Sequence, residues 1–430
     1  MLKLLRRSLL ILTTSFFLFP FSFPFLPEAI NTKNIMAVFG VIAFVFDCVR
    51  RRSVSFSEPT LFATLLAGAF SVWCLFSVTI ANTYNTVYAD YILSFVIWLA
   101  SAYGVYAFLR LDKEKVDLEI LTRYLALVGV FQCVTAVLID NVPAVERLVD
   151  HIMYQPGDFY KMNHRMYGLG AALDPAGVRF SVILIMIAHQ FSTNQNVRNN
   201  RLYQATDLGA FAIIVIIGAV ISRTTLVGAG LGLAYIVISL FRMRKGGFIT
   251  TSMVRMFFWF FIVMIVIVGV SIYFYRTSST FQGYLRFGFE AFFNWVETGE
   301  FRTHSTDVLE SMWVWPEGLD EWLIGRGTFG VFENNTDIGY CNFTLYCGAI
   351  GLLIFSLFFI YCHLAQSRKF RHFEIISWML IALTFIVWLK VATDIFFIDA
   401  LLFCIVGDFE DEPEDPDAKN VLPEDIRARR

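Results

Sequence analysis

Residues 59–80 read PTLFATLLAGAFSVWCLFSVTI, a stretch without one charged side chain. As an α-helix it would be about 33 Å long at 1.5 Å per residue, enough to cross the ~30 Å hydrocarbon core of a bilayer. Stretches of the same character recur on either side, at 8–26, 34–49, 89–110, 117–139, 176–191, 208–221, 225–241, 253–274, 341–362, 374–389 and 395–407. The alternating ten-residue pattern of a membrane β-barrel is absent, and in lipid only helices or a closed barrel satisfy every backbone donor and acceptor. The pattern predicts an all-α, polytopic integral membrane protein of about twelve transmembrane helices. A large periplasmic loop, 275–340, precedes the tenth.

Composition agrees. The 430 residues are 57% hydrophobic, 17% aromatic and only 16% charged, against about 25% charged in a soluble domain. Mean hydropathy is +0.62. The net charge of −2 is spread without a separate basic domain, so nucleic acid is not expected as a partner. The 7 cysteines form no CxxC pair and fall mostly in apolar stretches, which reads as small buried hydrophobes rather than zinc ligands or a disulfide framework.

Positive charges set the expected orientation. With the N-terminus in the cytoplasm, each inner connection carries a basic group: Arg6 and Arg7; Arg50, Arg51 and Arg52; Arg110, Lys113 and Lys115; Arg198 and Arg201; Arg242, Arg244 and Lys245; Arg368, Lys369 and Arg371. The first outer connection has only Lys33, and the second has none. Arg6 and Arg7 before an apolar run resemble a signal peptide, but the run is long and lacks a small-residue cleavage site, so a retained helix is expected. Residues 1–407 then form one transmembrane domain, with periplasmic loops at 140–174 and 275–340 forming the site. The acidic, proline-bearing stretch 408–430 reads as a disordered cytoplasmic tail. This places both termini in the cytoplasm.

The outer loops are arginine-rich: Arg147, Arg165, Arg179, Arg223, Arg276, Arg286, Arg302 and Arg326 stand there beside Lys33, Lys161 and Lys390. A guanidinium fork matches phosphate oxygens and stays charged at any physiological pH, so an arginine-lined outer cavity suits a pyrophosphate. Ordinary pairing with the acids of the same loops is the competing reading, and Arg147 and Arg276 are taken as surface charges. Arg223 stands apart. In 218–232, GAVISRTTLVGAGLG, it occupies the sharp turn between two apolar runs, where a charge is costly and points to function. Lys390 and Asp394 are expected to pair with each other, and His189 and His363 to face headgroups. Trp295, Trp313, Trp315 and Trp322 fit an interfacial belt as well as a sugar-stacking surface.

Three stretches carry a family resemblance. They are the SRTTLVGAGLG hairpin beginning at Ser222, HRMYGLGAALDPAGVRFS at 164–181, and FRTHSTDVLESMWVWPEGLDEWLIGRGTFGVFENNTDIGYCNFTLYCGAIGLLIF at 301–355. In order and in membrane side they resemble the Ser-Arg helix start, the Arg/Gly/Pro helix opening, and the arginine helix, GxG turn and Gly-x-x-Gly helix of the bacterial O-antigen polymerase (Wzy) and O-antigen ligase (WaaL) superfamily. Ligases of that superfamily carry a His-Asn-type pair nine residues before Gly-x-x-Gly. Here Gly348 and Gly351 are in place but the pair is Asp337-Ile338, which looks more like a polymerase.

The resemblance implies a glycosyltransferase that polymerises undecaprenyl-pyrophosphate-linked oligosaccharide repeat units on the periplasmic face, as an O-antigen, capsule or exopolysaccharide polymerase. Its partners would be the lipid-linked donor and acceptor, membrane lipid and a chain-length regulator protein. No cofactor is expected and no metal site: HExxH and outer acidic pairs with metal-ligand spacing are missing, so arginines would neutralise the leaving pyrophosphate. Asp337, Arg223 and Arg302 are the catalytic candidates, with Asp337 as base unless it merely caps the following helix. Arg165, Arg179, Arg286, Tyr340 and His304 are the substrate- or pyrophosphate-binding candidates. The rival readings are an O-antigen ligase and a lipid-linked oligosaccharide flippase, the latter disfavoured by helix midplanes that look bare.

Overall fold

The computed structural model describes residues 2–407 other than 28–29, 55–56, 114, 155–164, 247–257 and seven positions scattered over 259–270. The expected tail at 408–430 lies outside the described residues, as does most of the expected span 253–274. The chain is all-helical, 75% helix with no strand among the described residues. Seven described helices are long and apolar enough to cross a membrane, an architecture compatible with a polytopic membrane protein. We number the elements used below α1 Leu2–Leu18, α2 Thr32–Arg51, α3 Glu58–Ile80, α4 Tyr91–Arg110, α5 Leu118–Asn141 and α6 Pro143–Ile152. Next come α7 Leu173–Thr193, α8 Arg201–Ile221, α9 Thr225–Gly246, α10 Ser279–Gly288 and α11 Glu290–Thr298. The last are α12 His304–Glu310, α13 Leu319–Ile324, α14 Gly339–Ser367, α15 Glu374–Val387 and α16 Phe396–Cys404.

Local chemistry sets several starts. Asn31, Ser57 and Asp117 cap α2, α3 and α5, each side chain accepting from the backbone N–H three residues on. The first expected span, 8–26, is helical only to Leu18. Pro20 disfavours helical geometry in the residue before it, which ends α1 early. Outward faces of α2, α3 and α4 expose Val38, Ile42, Phe46, Leu65, Val72 and Leu93, the surface that lipid would cover. Small residues let helices touch: a Cβ on Gly40 of α2 would lie 1.7 Å from the Ala100 carbonyl oxygen of α4. The central helix is α7, buried along almost its whole length.

The helices alternate in direction, giving the bundle two chemically distinct ends. At one, Arg6 pairs with Asp112 and Arg110 with Asp47, the Val406 N–H donates to the Val116 carbonyl, and Lys369 donates to Leu402 and Phe403. We call this the basic end. Asp140, Asp174, Arg223, Asp337 and Lys390 lie at the opposite end.

The last three helices depart from the expected simple spans. The 29-residue α14 breaks at Gly348, where φ is 67° and ψ 179°. Its second part, 349–367, is about 28 Å long, enough by length to cross a bilayer core unaided. A broken helix leaves carbonyls unpaired, and in hydrocarbon each costs several kcal/mol. Here the Leu345 oxygen accepts from the Arg326 N–H (2.7 Å), the Tyr346 oxygen from the Gly327 N–H (3.2 Å) and the Cys347 oxygen from Trp73 Nε1 (2.8 Å). The GxG turn is thus a plug for the break. Helices α15, with 14 residues, and α16, with 9, are each too short to span. Between them 388–395 is non-helical, with Trp388 and Ile395 buried, and it carries Lys390 and Asp394 inward.

Two buried histidines lie within the bundle, each one turn before the basic end of its helix. His363 is fully buried, its Nδ1 3.0 Å from Asp399 and its Nε2 3.3 Å from Thr384 Oγ1. His189 is buried with Nδ1 2.9 Å from the Tyr235 hydroxyl. Packing encloses His363, and side chains satisfy both rings, while His189 borders an open cavity at the basic end.

Candidate functional site

At the end opposite the basic one, α7 begins beside the 222–224 hairpin and the 388–395 loop. Asp174 Oδ1 accepts from Lys390 Nζ at 2.6 Å, Thr224 Oγ1 at 2.6 Å and Ser222 Oγ at 3.2 Å. Lys390 therefore pairs with Asp174, not with its sequence neighbour Asp394: the non-helical loop removes the i, i+4 geometry that pair required. Asp394 instead takes the Phe396 N–H at 3.4 Å and lies within electrostatic reach of Lys33 and Arg179.

Asp337 stands just outside α14. The helix cap is Ile338, so the capping role is not the one Asp337 performs. Its carboxyl is exposed and makes no hydrogen bond or ion pair with the described residues. Partial desolvation, then the nearby Asp174 charge, raise it above the usual carboxylate value, with Lys390 opposing. An upward shift is the direction that would favour proton acceptance near neutral pH.

Arg223 sits in the short turn between α8 and α9, as the sequence predicts. Its Nε donates to the Phe287 carbonyl (2.8 Å), one terminal nitrogen to Ser305 Oγ (3.0 Å), and the other pairs with Glu290 (2.5 Å). The guanidinium lies 4.2 Å from the centre of the Phe287 ring, and Arg165 lies over the same ring at 5.3 Å. One phenyl thus gathers two cations. An arginine has five N–H donors, and these bonds use three, leaving two for a ligand. The Nε of Arg165 is buried without a hydrogen-bond partner. Arg165 also lines a cavity of about 340 Å³ with Asp140, Tyr167 and Tyr284.

The other candidates scatter. Arg302 is half-exposed and forked between Asp307 and Glu310, both at 3.0 Å. It is adjacent in sequence to the Ser305 turn that Arg223 holds, yet its charge is spent within its own segment. Arg286 pairs with Glu297 and donates to the Tyr275 hydroxyl. Arg179 donates to the Pro175 carbonyl at 2.7 Å and lies over Phe397 at 5.5 Å, with its Nε unpartnered. The Tyr340 hydroxyl donates to the Phe385 carbonyl at 3.0 Å, a packing role. His304 opens α12, its backbone N–H donating to Glu290 at 2.9 Å. Trp313, Trp315 and Trp322 stack in a row with ring centres 5.7 and 5.6 Å apart.

Sequence reasoning missed Asp174, Glu290 and the Lys390 linkage. The only available signal was that Asp174 opens an apolar run and Lys390 closes one. Among the described residues no group of three or more His, Cys, Asp and Glu side chains is placed to hold a metal ion. No known protein family, curated protein or solved structure matches this chain.

Proposed function

We propose that the chain is a membrane-embedded glycosyltransferase that polymerises undecaprenyl-pyrophosphate-linked oligosaccharide units, with its site on the periplasmic face and both termini in the cytoplasm. The supporting observation is the convergence at one end of the bundle of Arg165 and Arg223 on Phe287, the Asp174–Lys390 pair, and the unpartnered carboxyl of Asp337.

In this reading Asp337 takes the proton from an acceptor sugar hydroxyl. The hydroxyl oxygen bonds to the anomeric carbon of the donor glycan, and the bond from that carbon to the pyrophosphate oxygen breaks. The electron pair leaves on the pyrophosphate, where Arg165, the two remaining donors of Arg223, and Lys390 meet the new charge. Charge-assisted bonds that strengthen as the leaving group departs lower the barrier rather than merely binding substrate. The buried His363–Asp399 pair is the observation that favours the flippase reading, since transporters place ionisable groups at depth.

Deleting the gene in its host and separating the surface polysaccharide on a gel tests the proposal. Single-repeat product supports a polymerase. Full-length but unattached polymer indicates the ligase, and loss of all product the flippase. Reporters fused after Arg52, Lys115 and Arg371 should report cytoplasm, and one at Glu317 periplasm.

A further inference from the structure

Two cations and one carboxylate, at the end of the bundle opposite the basic one, face one another without touching. Lys33 Nζ, in the first turn of α2, lies 4.5 Å from the centre of the Trp98 ring of α4. Trp98 is 6.2 Å from Phe397 of α16, and the Arg179 guanidinium of α7 is 5.5 Å from that same Phe397 ring. Two neighbouring aromatic rings thus carry a cation at each end. Asp394, in the loop just before α16, lies within electrostatic reach of both cations, and these lie within reach of each other. The cluster is recessed. At 1.5 Å per residue, Arg179 is about 9 Å along α7 from its start and Trp98 about 10 Å along α4. Lys33 is held at that level because its carbonyl accepts from Ser101 Oγ of α4 at 2.8 Å.

What the three groups lack is a partner. Among the described residues Lys33 Nζ makes no hydrogen bond or ion pair. One terminal nitrogen of Arg179 donates to the Pro175 carbonyl at 2.7 Å, and the other is free. Asp394 accepts only the Phe396 N–H, at 3.4 Å and through one oxygen. By contrast Arg223, Arg286, Arg302 and Lys390 each already hold a carboxylate. Lys33, Arg179 and Asp394 are all part-buried, so their free atoms are shielded yet reachable. Charges held inside a membrane bundle are costly, and left unpaired they mark a ligand's place. Two cations against one carboxylate leave one positive charge to be met. The occupant that fits brings one negative charge for Lys33 and Arg179 and an uncharged donor for Asp394. A phosphodiester with hydroxyls on its neighbouring group has both, its oxygens taking charge-assisted bonds from the two cations.

We infer that Lys33, Arg179 and Asp394 form a second phosphate site, which seats a hydroxyl-bearing phosphodiester carried on a lipid. The phosphate lies between Lys33 and Arg179, and a hydroxyl beside it donates to Asp394. Delivery on a lipid follows from the place of α2. That helix exposes Val38, Ile42 and Phe46 where hydrocarbon would cover it, so an apolar tail can lie against the element that supplies Lys33. Two sources supply the chemistry, a lipid-linked saccharide and the headgroup of phosphatidylglycerol. The site shares no residue with Arg165, Arg223 and Lys390 and does not depend on the glycosyltransferase reading; within that reading it seats the second of the two lipid-linked molecules. Phosphatidylethanolamine fits less well: its ammonium can meet Asp394, but a zwitterion leaves the extra positive charge unbalanced.

The test uses the full chain purified in detergent and offered undecaprenyl phosphoryl glucose, phosphatidylglycerol or phosphatidylethanolamine. Native mass spectrometry reads the lipid retained, and thermal unfolding reads protection. Wild type should keep at least one of the first two roughly tenfold better than phosphatidylethanolamine, the order expected of one charge-assisted hydrogen bond. The better kept of the two names the source, and equal retention means that the site takes both. Lys33→Met and Arg179→Met should each erase the preference, and the exposed Arg147→Ala should keep it. Each of the two deletes a charge that has no partner, so without lipid neither should melt below wild type. Should Arg179→Met fail to fold, Lys33→Met decides, since its ammonium makes no directed bond. Phosphatidylethanolamine kept as well as the other two by wild type overturns the proposal. So does a preference that survives Lys33→Met at the wild-type level. Neither readout uses polymerisation, so a failed polymerase reading leaves this test intact.

Discussion

Lys390 Nζ lies 2.6 Å from Asp174 Oδ1, joining two points of the chain 216 residues apart. The pair ties the start of the central helix to the non-helical loop between α15 and α16. Both side chains are part-buried, at 31% and 23% exposure. Removing one partner leaves the other charge poorly solvated, while removing both does not. Lys390→Met and Asp174→Asn should therefore each lower the thermal midpoint, and the double variant should fall by less than the sum. Thermal unfolding of the four proteins measures the coupling; additive losses would mean that the pair does not hold the loop.

Arg223 makes three directed bonds and stacks on Phe287, and lysine can reproduce neither the fork nor the stacking. Arg223→Lys should therefore fail almost as badly as Arg223→Ala, with polymerisation reduced on the order of a hundredfold, about 3 kcal/mol. Arg147→Ala and Arg276→Ala should stay within a few-fold of wild type. Polymer length on gels at matched membrane abundance is the readout. Wild-type chains from Arg223→Ala would remove that residue from the site.

Asp337 must be ionised to accept a proton, and desolvation together with Asp174 raises it above the ordinary carboxylate value. Activity should fall as pH drops through that raised value, an acid limb displaced upward from that of an ordinary aspartate. Asp337→Asn should abolish the limb together with most of the rate. Asp174→Asn removes a charge that raises Asp337, so in that variant the limb should move to lower pH. A pH–rate profile unchanged by Asp174→Asn would separate the two carboxyls.

Gly348 holds a φ of 67°, and a Cβ there would lie 2.2 Å from the Leu323 carbonyl oxygen. Gly348→Ala meets both backbone strain of about 1–3 kcal/mol and a collision with fixed backbone. Its abundance and thermal midpoint should drop sharply. Gly283→Ala in α10 is the control, since a Cβ there meets nothing within 4 Å, and it should match wild type.

Arginine and lysine are proposed to meet the leaving pyrophosphate without a divalent ion. Polymerisation of lipid-linked repeats by purified protein should persist in excess EDTA. Activity lost with EDTA and restored by Mg²⁺ or Mn²⁺ would sink that part of the mechanism.

The seven long apolar helices were legible because apolar run length is a direct record of what lipid demands. The turn at Arg223 was legible too, as the one charge interrupting apolar sequence between α8 and α9. What hid from sequence was pairing at long range: nothing near Asp174 announces Lys390, and nothing near Arg223 announces Glu290. Helix breaks hid for a different reason. Apolar content runs unchanged through Gly348, so hydropathy reads one continuous span where the backbone turns. In α1, by contrast, Pro20 was visible, and its effect on the preceding residue ends the helix at Leu18.

The plug at 325–327 makes the loop and the membrane helix a single folding unit. The turn supplies hydrogen-bond donors that α14 lacks, and α14 supplies the acceptors around which the turn is shaped. Cut out and expressed alone, the loop between α9 and α14 would present Arg326 and Gly327 amides with no mate, and the remaining bundle would carry bare carbonyls at its rim. Antibodies or binders raised against such a fragment would be selected on a shape the intact protein does not wear. Grafting that loop onto another helical bundle should succeed only when the broken helix travels with it.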